Sequence, residues 1–201
     1  MQAEFWNDRY LNNETVYGTL PNAFFQQCID LLNPGKILLP AEGEGRNAVY
    51  AAKKGWQAAA FDFSSTARRK ALQLAELNSV NIDYEVADFM AYDAENQSMD
   101  AIALIYAHMQ PDLRQAFHHK IKHWIKPGGS LILEAFNPMQ LGLSSGGPKE
   151  PAMLYSPEIL QQDFPKTDWE IKILENLETT LHEGPFHEGK AQVVRLLAVK
   201  R

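Results

Sequence analysis

The chain has 201 residues, a formal net charge of −6 and a pI near 5.5. That length suits one α/β domain with a full core, 1–201, better than two domains, and the acidic balance argues against a broad nucleic-acid footprint. The one cysteine, Cys28, has no partner for an internal disulfide; with no signal-peptide pattern and no apolar run near the length of a membrane span, a reducing cytoplasm and no membrane are expected.

Taken in chain order, residues 4–19 carry Trp6, Tyr10 and Tyr17 without a clear helical or strand period. Rings at that density need a surface to pack on, so residues 1–20 read as a strap across the core or a lid over a pocket. Pro21 opens a helix with Phe24, Phe25, Cys28, Leu31 and Leu32 on one face, ended by Asn33-Pro34-Gly35. Residues 36–62 then form a βαβ unit. The apolar run Ile37-Leu38-Leu39 has the length of a buried parallel strand, Ala41 to Gly45 is a turn, residues 46–54 are a helix stopped by Gly55, and Ala58 to Phe61 form a second strand ending in Asp62. Gly43 and Gly45 let the backbone come close to a ligand, and Asp62 is placed to accept hydrogen bonds from two ribose hydroxyls. A plainer reading stays open, in which the glycines only tighten the turn, since the third glycine of a full dinucleotide pattern is Ala48 here.

Ser64 or Ser65 caps the next helix, to about Asn78, with Ala67, Ala71, Leu74 and Ala75 facing inward and Arg68-Arg69-Lys70 as a solvated face. A weakly alternating strand over 82–87 ends in Asp88-Phe89, and a clear one spans 99–108. Asp112 with Gln115 reads as a capping box, Leu113, Phe117, Ile121 and Trp124 mark one helix face, Pro127-Gly128-Gly129 breaks it, and 130–136 is a fifth strand. Residues 137–151 make a long loop whose Met139, Leu141 and Leu143, with Met153, form an apolar cover. A short helix over 158–163 and two strands joined by Gly184 to Gly189 close the chain, the strands pairing antiparallel. Five strands alternating with helices and then a hairpin differ from an ordinary dinucleotide domain, which continues with βα units.

In GEGRNAVYAAKKG (43–55), AFDFS (60–64), VADF (86–89), IYAHM (105–109) and KPGGSLILEAF (126–136), with WNDRY and YGTLPNAFF near the start, the sequence resembles the class I S-adenosylmethionine-dependent methyltransferases. It is most similar to the small bacterial proteins grouped with tellurite-resistance and thiol methyltransferases. The resemblance implies an α/β, Rossmann-like, doubly wound seven-stranded sheet, mostly parallel with a C-terminal antiparallel hairpin. It implies S-adenosylmethionine as cofactor, with S-adenosylhomocysteine as product. Gly43 and Gly45 then lie against the cofactor, Asp62 holds the ribose hydroxyls, Phe63 is a further cofactor-binding residue, and Asp88 faces the adenine amino group with Phe89 beside the ring. The family usually ends its first strand in an acid with glycine two residues later; here those positions are Leu39 and Ala41. Glu42 becomes the candidate for the methionine ammonium. Arg46 either pairs with the methionine carboxylate or only decorates the first helical turn.

Methyl transfer to an acceptor displaces an activated sulfonium leaving group, so alignment and exclusion of water supply most of the catalysis. Tyr10 or Tyr17 can face the sulfonium. His108, at the end of the fourth strand, is the candidate general base for a protonated acceptor, against a purely structural role. His119 and His123 have i, i+4 spacing but sit among lysines, so they read as a solvated face and no metal is expected. The acceptor expected from the resemblance is a small thiol or chalcogen compound. An RNA methyltransferase, a nicotinamide-dependent oxidoreductase and a non-catalytic S-adenosylmethionine-binding protein are the alternatives.

Overall fold

A computed structural model describes residues 3–201. The elements follow the order α1 (Ala3–Leu11), α2 (Ala23–Ile29), β1 (Lys36–Pro40), α3 (Arg46–Lys53), β2 (Gln57–Asp62), α4 (Ser65–Leu77), β3 (Asp83–Val86), β4 (Met99–Ile105), α5 (Pro111–Trp124), β5 (Ile125–Phe136), α6 (Pro157–Asp163), β6 (Trp169–His182) and β7 (Glu188–Lys200), with single 3-10 turns at Pro138–Gln140 and Pro151–Met153. The strands form one seven-stranded sheet in the order β3-β2-β1-β4-β5-β7-β6. β1 to β5 pair parallel, while β7 lies antiparallel between β5 and β6. This is the Rossmann-like α/β sheet with an inserted antiparallel strand.

The period of two along each strand sorts side chains into two layers. Leu38, Ile102, Leu104, Leu131 and Leu133 face the large rings Phe117, Trp124, Phe164 and Trp169 under α5 and α6. Ile37, Leu39, Ala101, Ala103 and Ile132 face the other way, onto a layer rich in alanine that includes Ala48, Ala60, Ala71 and Ala75. Small residues there let α3 and α4 lie close to the sheet and to each other. A Cβ at Gly45 would come within 2.6 Å of Ala71 Cβ.

Several local expectations change. Residues 3–11 are helical rather than aperiodic, and the helix docks on the start of α4, where Asn7 Oδ1 accepts from Ser64 Oγ at 2.6 Å and from Thr66 N at 3.2 Å. α2 begins after Asn22, whose side chain accepts from Phe25 N, and Leu31 lies beyond its end, 88 % exposed. α5 starts with Pro111 and has no side-chain cap, so Asp112 sits in its first turn rather than in a capping box. Lys70 is not part of a solvated run. Its Nζ is 2.9 Å from Glu44 Oε1 and also donates to the carbonyls of Asn13 and Glu14. Glu44 Oε2 in turn accepts from Val16 N at 2.7 Å, so one partly buried ion pair holds residues 13–17 against α4. Among the described residues, no helix is long and apolar enough to cross a membrane.

Candidate active site

β1 connects to β2 on one side of the sheet while β4 lies on its other side, and at this switch point the strand ends diverge into a crevice. A cavity of about 650 Å³ fills it. The turn after β1 forms its floor, α1 and Tyr17 form one wall, and Gly147 to Glu150 with Met153 form part of the cover. Ala41 and Tyr106 both line it, with φ of 53° and 54°. Left-handed backbone without glycine costs about 1–2 kcal/mol per residue, and strain of this kind concentrates at sites that need a particular backbone direction.

Asp62, at the end of β2, is 5 % exposed and lines the cavity. Its Oδ1 accepts from Ser64 N at 2.9 Å and its Oδ2 from Gly43 N at 3.2 Å. Burial pushes its carboxyl up to about 6, against the hydrogen bonds from Ser64 and Gly43. Each oxygen takes one amide here and keeps capacity for another donor, an arrangement that suits a vicinal diol. Phe63 and Phe89 line the same cavity and offer aromatic faces beside that acid. Gly43 is also in the wall with φ of 61°; a Cβ there would meet the Tyr10 hydroxyl at 2.7 Å. The residues present therefore fit an adenosine-bearing cofactor.

Four expected site residues have other commitments. Asp88 is exposed and does not line the cavity; its Oδ1 caps its own turn, accepting from Met90 N and Ala91 N at 2.8 Å. Gly45 serves the packing of α3 on α4 and is likewise outside the cavity lining. Glu42 lines the cavity, but its Oε1 accepts from Asn47 N at 2.7 Å and Ala48 N at 2.8 Å. It supplies the cap that Gly45, at the N-cap position without a side chain, cannot. Burial raises its carboxyl to about 7. Arg46 neither decorates a surface turn nor stands free: it is 6 % exposed, with Nη2 2.8 Å from Glu183 Oε2.

His108 lines the cavity, yet its chemistry departs from the expected base. Its Nδ1 is 2.7 Å from the Met153 carbonyl oxygen and Phe136 N donates to its Nε2 at 3.1 Å. The first bond puts the ring proton on Nδ1, and the second occupies the remaining lone pair. Burial takes its pKa down to about 4. His108 is a neutral bracket between β5 and the loop after it. The loop cover also differs: Met139, Leu141 and Leu143 are 67 %, 44 % and 41 % exposed, and only Met153 of the four expected apolar residues reaches the cavity.

Tyr17 and Tyr10 both line the cavity wall, the Tyr17 hydroxyl accepting from Arg9 Nη1 at 3.4 Å. The Tyr17 ring packs 4.4 Å from His187, a residue that sequence reasoning passed over as part of a hairpin connection. The signal was present in the strand order. A strand antiparallel to β5 begins where β5 ends, so the β6–β7 turn must lie at the ligand end of the sheet. Tyr106 joins the same group: its hydroxyl donates to Glu134 Oε1 at 2.8 Å, and Glu134, 1 % exposed, also binds Asn22 Nδ2 at 2.6 Å and Arg195 Nε at 2.5 Å. Among the described residues no group of acids, histidines and cysteines could hold a metal ion.

Residues 37–129 match the family model described as a methyltransferase domain. No curated protein matches the sequence. Solved structures do. One, from work on the conversion of a disulfide bond into a thioacetal group during echinomycin biosynthesis, superposes with a TM-score of 0.79 at 17% identity, covering 100% of this chain and 92% of that one. TehB from Haemophilus influenzae follows at 0.74 and 18%, covering 100% and 68%. A SAM-dependent methyltransferase from Methanosarcina mazei gives 0.70 and 19%, covering 87% and 96%. The antiparallel β7 already separates this sheet from the all-parallel nicotinamide-binding arrangement. Residues 37–129 thus match a methyltransferase domain, in a chain whose sheet has the class I strand order and whose cavity fits an adenosine-bearing cofactor.

Proposed function

We propose that the protein, as one domain with residues 3–20 as its strap (residues 1 and 2 of the expected strap lie outside the described residues), transfers a methyl group from S-adenosylmethionine to a small acceptor, a thiol or related chalcogen compound. The observation that carries this reading is the size of the cavity and its partial cover. About 650 Å³, partly covered by α1, Tyr17 and the loop before α6, suits the cofactor with a compact second ligand. A net charge of −6 works against RNA, whose binding needs a cationic surface. One structural neighbour comes from work on the conversion of a disulfide bond into a thioacetal group, a transformation of sulfur, and the resemblance to thiol methyltransferases points the same way. In this reading Asp62 holds the ribose, Phe63 and Phe89 border the adenine, and Glu42 Oε2, which accepts from Asn47 Nδ2, has a further lone pair for the methionine ammonium. The test is transfer from labelled S-adenosylmethionine to 2-mercaptoethanol, thiophenol, selenite, tellurite and tRNA. A thiol or chalcogen oxyanion should be the best acceptor. Faster methylation of tRNA, with a steep salt dependence, would overturn the acceptor class.

A further inference from the structure

His187 in the β6–β7 turn is 5 % exposed and lines the cavity that holds Asp62 and Phe89. The rings of Tyr17, Tyr106 and Phe136 lie 4.4, 4.5 and 5.3 Å from its own. Its Nδ1 is 3.4 Å from Glu183 Oε2. Glu183 is a permanent carboxylate: burial works to raise it, but the hydrogen bond from His187 and the Arg46 guanidinium take it down to about 2. A carboxylate can only accept, so the ring proton sits on Nδ1 and the lone pair on Nε2. Among the described residues, no donor reaches that Nε2. His108, by contrast, has both ring nitrogens engaged.

We propose that His187 is the general base for a protic acceptor, and that Glu183 is the positioning residue that fixes its tautomer and stabilises the imidazolium. The inference rests on the methyl-transfer reading. In the step, the acceptor's X–H bond breaks and its proton passes to His187 Nε2. The electron pair left on X forms the new bond to the methyl carbon, and the pair of the methyl–sulfur bond stays with sulfur, which turns from sulfonium to neutral thioether. The imidazolium then gives its proton to water. A thiol, with a pKa near 8.5, is only a few per cent thiolate at neutral pH, so a base raises the reactive fraction. Burial lowers the His187 pKa, and Glu183 opposes that fall; the ring is therefore neutral and able to accept at pH 7. The charged and titratable groups facing it are Glu183 in its own turn, Arg46 on α3, Glu134 on β5, Tyr106 and His108 after β4, and Tyr17 of the strap.

Two measurements on the full chain test this. Imidazole ¹⁵N NMR of the unliganded protein should show His187 with the proton on Nδ1, and in Glu183→Gln its titration should move to lower pH. An Nε2–H tautomer in the wild type overturns the assignment. In transfer to 2-mercaptoethanol, His187→Asn and His187→Gln should each lower kcat at pH 7 by about a hundredfold or more. The loss should shrink as pH passes the thiol's own pKa, with S-adenosylhomocysteine affinity unchanged. A loss equal at every pH, or confined to KM, also overturns it. If both variants fail to fold, the wild-type tautomer decides. Failure of the wild type to bind S-adenosylhomocysteine would instead refute the methyl-transfer reading, and the NMR result separates the two cases.

Discussion

Replacing Glu42 by glutamine should change how stability depends on pH. Glu42 is 9 % exposed, and burial raises its carboxyl from 4.5 to about 7, against hydrogen bonds from Ala48 and Asn47 and the nearby Arg46. The folded protein thus keeps this proton up to about pH 7, whereas the unfolded chain loses it above 4.5. Between those values the native state binds more protons, so stability falls as pH rises: the contribution is fully present below 4.5 and gone above about 7. At 1.36 kcal/mol per pH unit, the span amounts to about 3 kcal/mol. Glutamine does not titrate, and its one carbonyl oxygen can still accept from Asn47 N and Ala48 N. Its amide would face Asn47 Nδ2, now 3.2 Å from Glu42 Oε2, a fixed cost of about 1 kcal/mol. Urea unfolding of unliganded wild type and variant at pH 4.5 and pH 8 measures the difference. The variant should gain about 3 kcal/mol relative to wild type between the two. Other groups titrate in both proteins and cancel. A difference independent of pH, or one in which the variant loses ground at pH 8, would refute the reasoning. The second result would mean that the start of α3 stabilises the carboxylate by more than burial opposes it.

Three further outcomes follow from the same geometry. Asp62→Ala should weaken S-adenosylhomocysteine binding by about 1–3 kcal/mol in calorimetry, and wild-type binding should tighten as pH rises through about 6, where Asp62 ionises; unchanged affinity in a folded variant would remove Asp62 from the site. Glu44→Gln should speed amide exchange at Val16 and its neighbours, because the carboxylate holding Val16 N and Lys70 loses its charge. S-adenosylhomocysteine should slow exchange in residues 3–20 of the wild type, and protection confined to the surroundings of Gly43 and Asp62 would reduce the strap to a structural role.

The sequence by itself determined what depends on neighbours along the chain. Short continuous apolar runs marked β1, β2, β4 and β5, and the terminal hairpin was legible from Gly184 to Gly189 between two strand patterns. Asp62 was readable because a strand's last residue has a fixed relation to the turn before the next helix. Gly43 was read from the turn between strand and helix, Tyr17 from its ring, and Phe63 and Phe89 from the family resemblance; all four line the cavity. What only the tertiary structure decided are the roles set by partners distant in sequence. Arg46 is committed to Glu183, 137 residues away, and His108 gives its lone pair to Phe136 N, 28 residues on. Asp88 turned onto its own backbone because Met90 N and Ala91 N needed an acceptor. α1 lacks a period strong enough to read, since docking of Asn7 onto the start of α4 holds it in place. His187 came to the site because β7 runs antiparallel to β5, which returns the hairpin turn to the ligand end of the sheet. Local pattern specifies elements, but which lone pair stays free depends on the whole set of neighbours that folding brings to it.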